Sequence, residues 1–476
     1  MTLFNERQRY IGLMLVFVNM LSPILGQHFP STVQYKAKKL YEMQLDLEPT
    51  SVKILRDPRY SSEVTPVFDL AFMAFQPRSE IRKISDLTVR VNEPQEMADY
   101  ARTITGEIHI PVPNNVGVLP PNTLDRQPPY VWWVAAGALG PSSAFASSTG
   151  AIYLIDKSKP TEWKPVPIYR ENNVGFSHVE WIDMDLDGKK DCVTIKGQSN
   201  RGQLIWLRQP ITDSGTWQAF PISNVTVDVG GTDFKMMRVK VPRRPNKERV
   251  LFIVAGLRTA TLTAYWVDDE DNDWTQVNRI QSTIIARSES YVSVEIVDIN
   301  ADGRDDILTS AAAAANRPGR LLAFELPKAG FGTGGEWRKR ILNEWTTPAT
   351  NYRTITPGPA YVFWIQTRER QASKKPHILV SGADDGKAYI VSPKSWSPYQ
   401  WDYSESTIFS GDKSVGIPAI HDVDGDGKAE IFIPEGRTIH VMKYQIDNAS
   451  CRTRHSWTVQ FILMFFAIYL IKYSFM

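Results

Sequence analysis

Phe176-Ser-His-Val-Glu-Trp-Ile182 runs into Asp183-Met-Asp185-Leu-Asp187-Gly188-Lys-Lys-Asp191, then Cys192-Val-Thr-Ile195, Gly202-Gln-Leu-Ile-Trp-Leu207, Trp217 and Ile222. Short runs rich in β-branched and aromatic residues, bounded by Asp and Gly, read as strands. The stretch is thus strand, acidic loop, strand, strand and a Trp-marked continuation, and the rest of the chain repeats parts of it. The Gly–strand–Trp portion returns at Gly150–Ile155 with Trp163, Leu262–Val267 with Trp274, Gly319–Phe324 with Trp337 and Gly386–Val391 with Trp401. These tryptophans advance by 54, 57, 63 and 64 residues.

Four further runs, Phe176–Ile182, Phe234–Val241, Val292–Val297 and Ala360–Ile365, open units, and Val250–Ala255 and His377–Ser381 follow as second strands. No long stretch shows helical periodicity, and Ala311–Ala315 reads as a strand end or loop. Units of roughly 55–65 residues with four short strands each are propeller blades. The expected fold is all-β, a β-propeller of seven four-stranded blades, with six as the fallback. Openings fall near residues 67, 122, 178, 233, 291, 359 and 417, and Val33–Leu55 supplies the strand that closes the ring. A pair of β-sandwiches would not give one Trp-marked period running from residue 150 to 410.

Three loops carry the clearest chemistry: Asp183–Asp191, Asp298-Ile-Asn300-Ala-Asp302-Gly303-Arg304-Asp-Asp306, and Asp422-Val-Asp424-Gly-Asp426-Gly427-Lys428-Ala-Glu430. Side-chain oxygens at positions 1, 3, 5 and 9, with the position-7 carbonyl of Lys189, Arg304 or Lys428, can converge on one cation. Hard oxygens without His or Cys select Ca²⁺. An EF-hand needs Glu at position 12 and flanking helices. Here that position is Thr194, Thr309 and Ile433, and the flanks are strands. The loops start 115 and 124 residues apart, two units each time, so three calcium ions are expected in alternate blades.

Such loops between strands at a propeller-length period resemble the FG-GAP/VCBS repeat family, which includes the propeller heads of integrin α-chains. The resemblance implies calcium-binding roles for Asp183, Asp185, Asp187 and Asp191; for Asp298, Asn300, Asp302 and Asp306; and for Asp422, Asp424, Asp426 and Glu430. Four crowded carboxylates repel one another, so an ion there stabilises the loop, and structural calcium is the expected role.

The ends of the chain bear on compartment. Arg7 and Arg9 precede the apolar run from Ile11 towards Gly26, the layout of a signal peptide over residues 1–26, with an uncleaved anchor helix as the alternative. The propeller is then assigned to 27–447. Asn448-Ala-Ser450, a polar spacer and the apolar tail Trp457–Ile471 read as a GPI-attachment signal over 448–476, attached at Asn448; the alternative is a short transmembrane anchor. Asn224-Val-Thr226 is a glycosylation sequon, and Asn448-Ala-Ser450 a second that overlaps the anchor site. Two cysteines exclude a disulfide scaffold, and loss of the tail with Cys451 would leave Cys192 as the lone thiol. A net charge of +2 gives no reason to expect nucleic acid as a partner.

Weaker features are the acidic run Asp268–Asp273, read as a solvated turn, and Asp384-Asp-Gly386, read as a hairpin turn. Trp132-Trp133 reads as one core and one surface residue. His178 and His421 precede acidic loops, but no nucleophile or zinc pattern accompanies them. No catalytic residue is assigned. The expected function is extracellular and non-enzymatic: a surface-anchored, calcium-binding propeller for adhesion or recognition of glycan or protein ligands, its oligomeric state open. The alternatives are a propeller-type carbohydrate lyase and a component of an extracellular or mineralised matrix.

Overall fold

The computed structural model describes residues 35–446 apart from 61–65, 75–79, 94–95, 104–109, 138–148, 159–162, 199–200, 213–214, 224–232, 242–243, 269–270, 315–316, 329, 333–334, 346–354, 366–368 and 371. The expected leader and anchor segments, Asn224 and Asn448 lie outside the described residues. Residues 37–445 make one unit; the other unit holds the chain ends, of which only Tyr35, Lys36 and Ile446 are described.

The strands arrange as seven antiparallel sheets, the blades of a β-propeller. A long strand, β1 (Tyr35–Gln44), precedes the first blade. Blade one holds β2 (Ser51–Arg56), β3 (Phe68–Met73), β4 (Arg82–Ile84) and β5 (Arg102–Thr103); blade two holds β6 (Pro113–Val118), β7 (Val131–Ala136), β8 (Thr149–Asp156) and β9 (Val166–Asn172). Blade three holds β10 (Gly175–Ile182), β11 (Asp191–Gln198), β12 (Arg201–Arg208) and β13 (Gln218–Pro221). Blade four holds β14 (Asp233–Val241), β15 (Arg244–Gly256), β16 (Thr261–Val267) and β17 (Ile280–Arg287). In blade five the first strand is split into β18 (Ser290–Tyr291) and β19 (Glu295–Val297), followed by β20 (Asp306–Ala312), β21 (Gly319–Glu325) and β22 (Arg338–Trp345). Blade six holds β23 (Ala360–Phe363), β24 (His377–Ser381), β25 (Lys387–Pro393) and β26 (Tyr403–Ser410). Blade seven takes β27 (Ala419–His421), β28 (Ala429–Glu435) and β29 (Thr438–Ile446) from the end of the chain and β1 from its start, in the order β27-β28-β29-β1.

The first strands form the inner ring: β2 packs against β27 and β6, β10 against β6 and β14, and β19 against β14 and β23. Ser51 makes a parallel bridge to Ile417, with Val52 N donating to Ile417 O at 3.0 Å and Ile417 N to Thr50 O at 2.8 Å. The ring is therefore closed twice, by this bridge at the axis and by β1 at the rim, and the last sheet keeps no open inner edge. Two openings differ from expectation. Residue 67 marks a second strand, and blades one and two open at Ser51 and Pro113. The segment assigned to a single closing strand divides, its first part completing blade seven and its second opening blade one. Blade one was poorly marked because β4 and β5 are very short and no Trp follows them.

The core lies between blades. Buried clusters join blades one with two, two with three, three with four, four with five, five with six, and seven with one. The repeat explains this: each marked Trp sits between the third and fourth strands and packs back on the preceding blade. Trp163 does so on blade one, Trp217 on two, Trp274 on three, Trp337 on four and Trp401 on five. Trp132 and Trp133 are both buried, correcting the expected core–surface split. A central blade strand is covered on both faces, so Trp132 meets blade one and Trp133 meets blade three. Gly386, at φ +73°, closes the expected β24–β25 hairpin turn. Trp274 is 1% exposed between blades three and four. Trp274→Ala is expected to cost about 3–5 kcal/mol in denaturant unfolding, whereas Tyr399→Ala, at an exposed position, is expected to change stability by no more than about 0.5 kcal/mol.

Candidate metal centres

Each acidic loop joins the first and second strands of its blade, and the three occupy blades three, five and seven. The alternate-blade spacing read from the sequence is therefore a property of the fold. The loop backbone makes a double left-handed turn. Position 6 is Gly188, Gly303 or Gly427 at φ +89°, +86° and +80°, and position 4 is Leu186 and Ala301 at +62° and +61° against Gly425 at +73°. Only glycine takes these angles without a steric cost, so Leu186 and Ala301 hold strain that Gly425 relieves.

Position 2 is a buried apolar residue wedged against the next blade. Met184, Ile299 and Val423 are 0%, 0% and 1% exposed. Trp274 N of blade four donates to Met184 O at 3.0 Å, and Tyr403 Oη of blade six donates to Ile299 O at 3.1 Å. The position-9 acid fixes this wedge. Met184 N donates to Asp191 Oδ2 at 3.0 Å and Val423 N to Glu430 Oε2 at 2.9 Å. Asp191 also accepts Gln209 N at 2.7 Å, and Asp306 accepts Leu326 N at 3.4 Å, tying the loop to the chain beyond the third strand.

In blade three, oxygens of Asp183, Asp185 and Asp191 lie within 4.8 Å of one another, and in blade seven those of Asp422, Asp424 and Glu430 do the same. Each cluster could hold a metal ion. Asp183 Oδ1, Asp185 Oδ1 and Asp422 Oδ1 are buried without a hydrogen-bond partner, as is Asp306 Oδ2 in blade five. Buried carboxylate oxygens without a donor are costly unless a cation meets them, and this donor set fits a hard ion. The blade-five loop does not gather three acids in this way. Asn300 stands at position 3, and Arg304 Nη2 holds Asp302 Oδ2 at 2.8 Å.

The position-5 acids close the turn from within the loop. Asp187, Asp302 and Asp426 are exposed and accept the position-7 amides of Lys189, Arg304 and Lys428 at 2.9, 3.1 and 3.0 Å. They cap the turn, and position 7 contributes an amide donor here. Gly188, Gly303 and Gly427 N donate to the position-1 acids Asp183, Asp298 and Asp422 at 2.9, 2.7 and 3.0 Å.

Two cations were not evident in the sequence. Lys443 lies directly across from Glu430 in the β28–β29 register, its Nζ 2.9 Å from Glu430 Oε1, 3.0 Å from Asp424 Oδ2 and 2.9 Å from Asp426 Oδ2. Arg208 follows Leu207, the partner of Cys192, and its Nε is 2.5 Å from Asp185 Oδ2 as an ion pair without hydrogen-bond alignment. The corresponding third-strand residue of blade five is acidic, Glu325, and pairs with Arg340. Counting back through the tight Glu435–Thr438 turn would have placed Lys443 opposite Glu430.

His178 lies on inner strand β10, and His421, exposed, packs edge-on against Phe68 at 4.5 Å, so the two histidines sit in separate settings. Cys192 is buried, and that burial pushes its thiol well above its ordinary value, so its thiolate is disfavoured.

No family model matches the chain, and no curated protein matches it. Among solved structures, similar chains include a Dos1 propeller (9% identity, 86% of this chain and 95% of that one, TM-score 0.43). Another is from an S. cerevisiae Dbp5 complex bound to Nup159, Gle1, IP6 and ADP (10% identity, 87% and 96%, TM-score 0.43). A third is the PQQ-bound aldose sugar dehydrogenase of Streptomyces coelicolor (10% identity, 87% and 99%, TM-score 0.38). The propeller assignment rests on this chain's own sheet order.

Burial pushes the carboxyls of Asp191 and Glu430 up to about 7 and that of Asp306 to about 8, with the neighbouring loop acids adding to it. In the unfolded chain such groups titrate near 4. A raised folded value means that stability is fully present below the unfolded value and is lost as pH rises through the folded one. In chelator, melting temperature is expected to fall between about pH 4 and pH 8, and Asp191→Asn is expected to flatten part of that slope.

Proposed function

We propose that this chain is a calcium-stapled propeller of FG-GAP/VCBS type that works outside the cell, lipid-anchored at the surface, in adhesion or recognition of glycan or protein ligands. The unpartnered buried oxygens of the acidic loops carry the calcium part of this reading. All donors are oxygen, with no His or Cys among them, the set that a hard divalent ion takes. Asp183, Asp185, Asp187 and Asp191 would hold one ion, Asp422, Asp424, Asp426 and Glu430 another, and Asp298, Asn300, Asp302 and Asp306 a third.

Calcium would supply positive charge at the points where buried carboxylates repel one another. The residues themselves do the rest: position 9 anchors the loop amide, and position 2 locks the next blade. The role is structural, which suits a nearly cysteine-free fold. The apolar N-terminal run and the small–spacer–apolar C-terminal pattern support the secreted, anchored setting.

Calcium at about a hundred times its dissociation constant contributes about 2.7 kcal/mol per site. Melting the whole chain in calcium and in EGTA at pH 7.5 is expected to show a rise of about 5 °C or more with the ion. Asp185→Asn should reduce that rise, and equal melting temperatures would contradict the proposal. Lys443 occupies part of the blade-seven cluster, so this loop would be the weakest of the three. Lys443→Met is expected to tighten it about tenfold in calcium titration, about 1.4 kcal/mol.

A further inference from the structure

Every blade runs its strands in the same order from axis to rim, each antiparallel to the next. The connections between first and second strands and between third and fourth strands therefore all emerge on one face of the propeller. Contacts between blades follow this rule. Lys189 Nζ donates to Asp125 Oδ2 of blade two at 2.7 Å and to Ile211 O at 2.9 Å, and Asn92 Nδ2 of blade one donates to Asp424 Oδ2 of blade seven at 3.4 Å. Ten large apolar side chains are exposed among the described residues, and they are unevenly placed. Four lie at the rim, on the fourth strands β1, β9, β17 and β22. The other six, Val89, Leu186, Ile211, Val277, Trp396 and Tyr399, all stand in connections of this one face, over blades one, three, four and six. The opposite face carries none among the described residues. Scattered single apolar residues are ordinary on a surface, but six gathered on one face are not.

The chain also leaves the propeller on this side, because β29, the third strand of blade seven, runs towards it. Thirty residues follow Ile446, among them the apolar run Trp457–Ile471. On the anchored reading the tether is short. Asn448, the attachment point, comes two residues after Ile446, and the transmembrane alternative puts ten residues between Ile446 and Trp457, a reach of at most about 35 Å. Blade six, which meets blade seven through the His377–Tyr444 ring contact, brings Trp396 and Tyr399 together with cations. Lys374 Nζ lies 5.1 Å from the Trp396 ring centroid, the Arg370 guanidinium 5.3 Å from that of Trp364, and Trp364 Nε1 donates to Lys374 O at 2.8 Å. Trp and Tyr beside Lys and Arg suit the headgroup level of a bilayer, where the rings meet the upper acyl chains and the cations meet phosphate.

We infer that this face rests on a lipid bilayer, with its six exposed apolar side chains seated at headgroup level. The inference rests on the anchored reading and adds an orientation to it: the hairpins between second and third strands point away from the membrane. Ile211 and Tyr399, 76% and 89% exposed, stand clear of the loops that carry them and reach the lipid first. Side chains on separate loops make a shallow contact, and the short tether is what makes it sufficient. Once the chain is anchored, the face meets the bilayer intramolecularly, so weak apolar contacts hold it there. The acidic loops share this face, and bare carboxylates there would repel phosphate, so calcium in those loops favours the contact.

The test uses the full chain, produced with its own C-terminus in a secretory host and incorporated into phosphatidylcholine vesicles in calcium. A polarity-sensitive dye is placed on one cysteine at a time, with Cys451→Ser leaving only the buried Cys192 as background. Ile211→Cys, Val277→Cys and Tyr399→Cys report on the proposed face, and Asp412→Cys, exposed between blades six and seven on the opposite side, is the control. The three dyes are expected to brighten about twofold or more and to be quenched by brominated lipid as they enter the interface, while the Asp412 dye stays unchanged. Ile211→Asp combined with Tyr399→Asp should remove most of the Val277 response. Wild-type melting temperature would be checked for each variant. The inference is overturned if the three dyes stay unchanged on vesicle-bound protein, or if the Asp412 dye responds as strongly. It is also overturned if the three respond without lipid as protein concentration rises, which would assign the face to a second copy. Vesicle flotation separates the two readings: protein that floats with unchanged dyes sinks the orientation alone, whereas protein that does not float sinks the anchor and the orientation with it.

Discussion

A buried carboxylate accepting the backbone amide of a buried apolar residue is the interaction on which the acidic loops depend. Asp191 takes Met184 N and Glu430 takes Val423 N, at 3.0 and 2.9 Å. The amide belongs to the residue wedged into the next blade, so the acid sets the register between blades as well as the shape of its own loop. Asp191 and Asp306 also reach beyond the third strand. Asp191 alone therefore couples the first strand, the second and the end of the third in blade three. Burying that charge is costly, and the raised carboxyl values reflect it.

The three loops meet this cost in different ways. Blade seven brings an ammonium of its own, and burial, which works against the charge of Lys443, is outweighed by the carboxylates around it, so it stays protonated. Blade three brings a guanidinium to one acid only and leaves Asp183 Oδ1 and Asp185 Oδ1 without a donor. Blade five turns Arg304 onto Asp302 and leaves Asp306 Oδ2 bare. A chain with almost no cysteine thus carries acidic loops in alternate blades, while the blades between rely on apolar contact and on tryptophans such as Trp274 and Trp401.

Much of the fold was legible because its signals are local. Third strand, loop and Trp lie within about twenty residues of sequence, so Gly150–Trp163 and Gly202–Trp217 announce the same unit. The acids of each loop span nine residues and show their turn chemistry directly. What the sequence hid is what the ring assembles. The strand Ser51–Arg56 has no Trp-marked partner in its own blade, so the first opening was misplaced. Trp132 looked half exposed because alternation implies one dry face, whereas a blade has two. Arg208 and Lys443 reach their acids through another strand, and Lys53 meets Tyr361 only once all seven blades have closed the circle.

The most direct measurement is the metal itself. The protein, purified with calcium present and dialysed against metal-free buffer, would be assayed for bound calcium by equilibrium dialysis with ⁴⁵Ca at pH 7.5. Three ions per chain are expected, with the blade-seven ion the first to be lost as free calcium is lowered. A folded chain that retains none at millimolar calcium would contradict it.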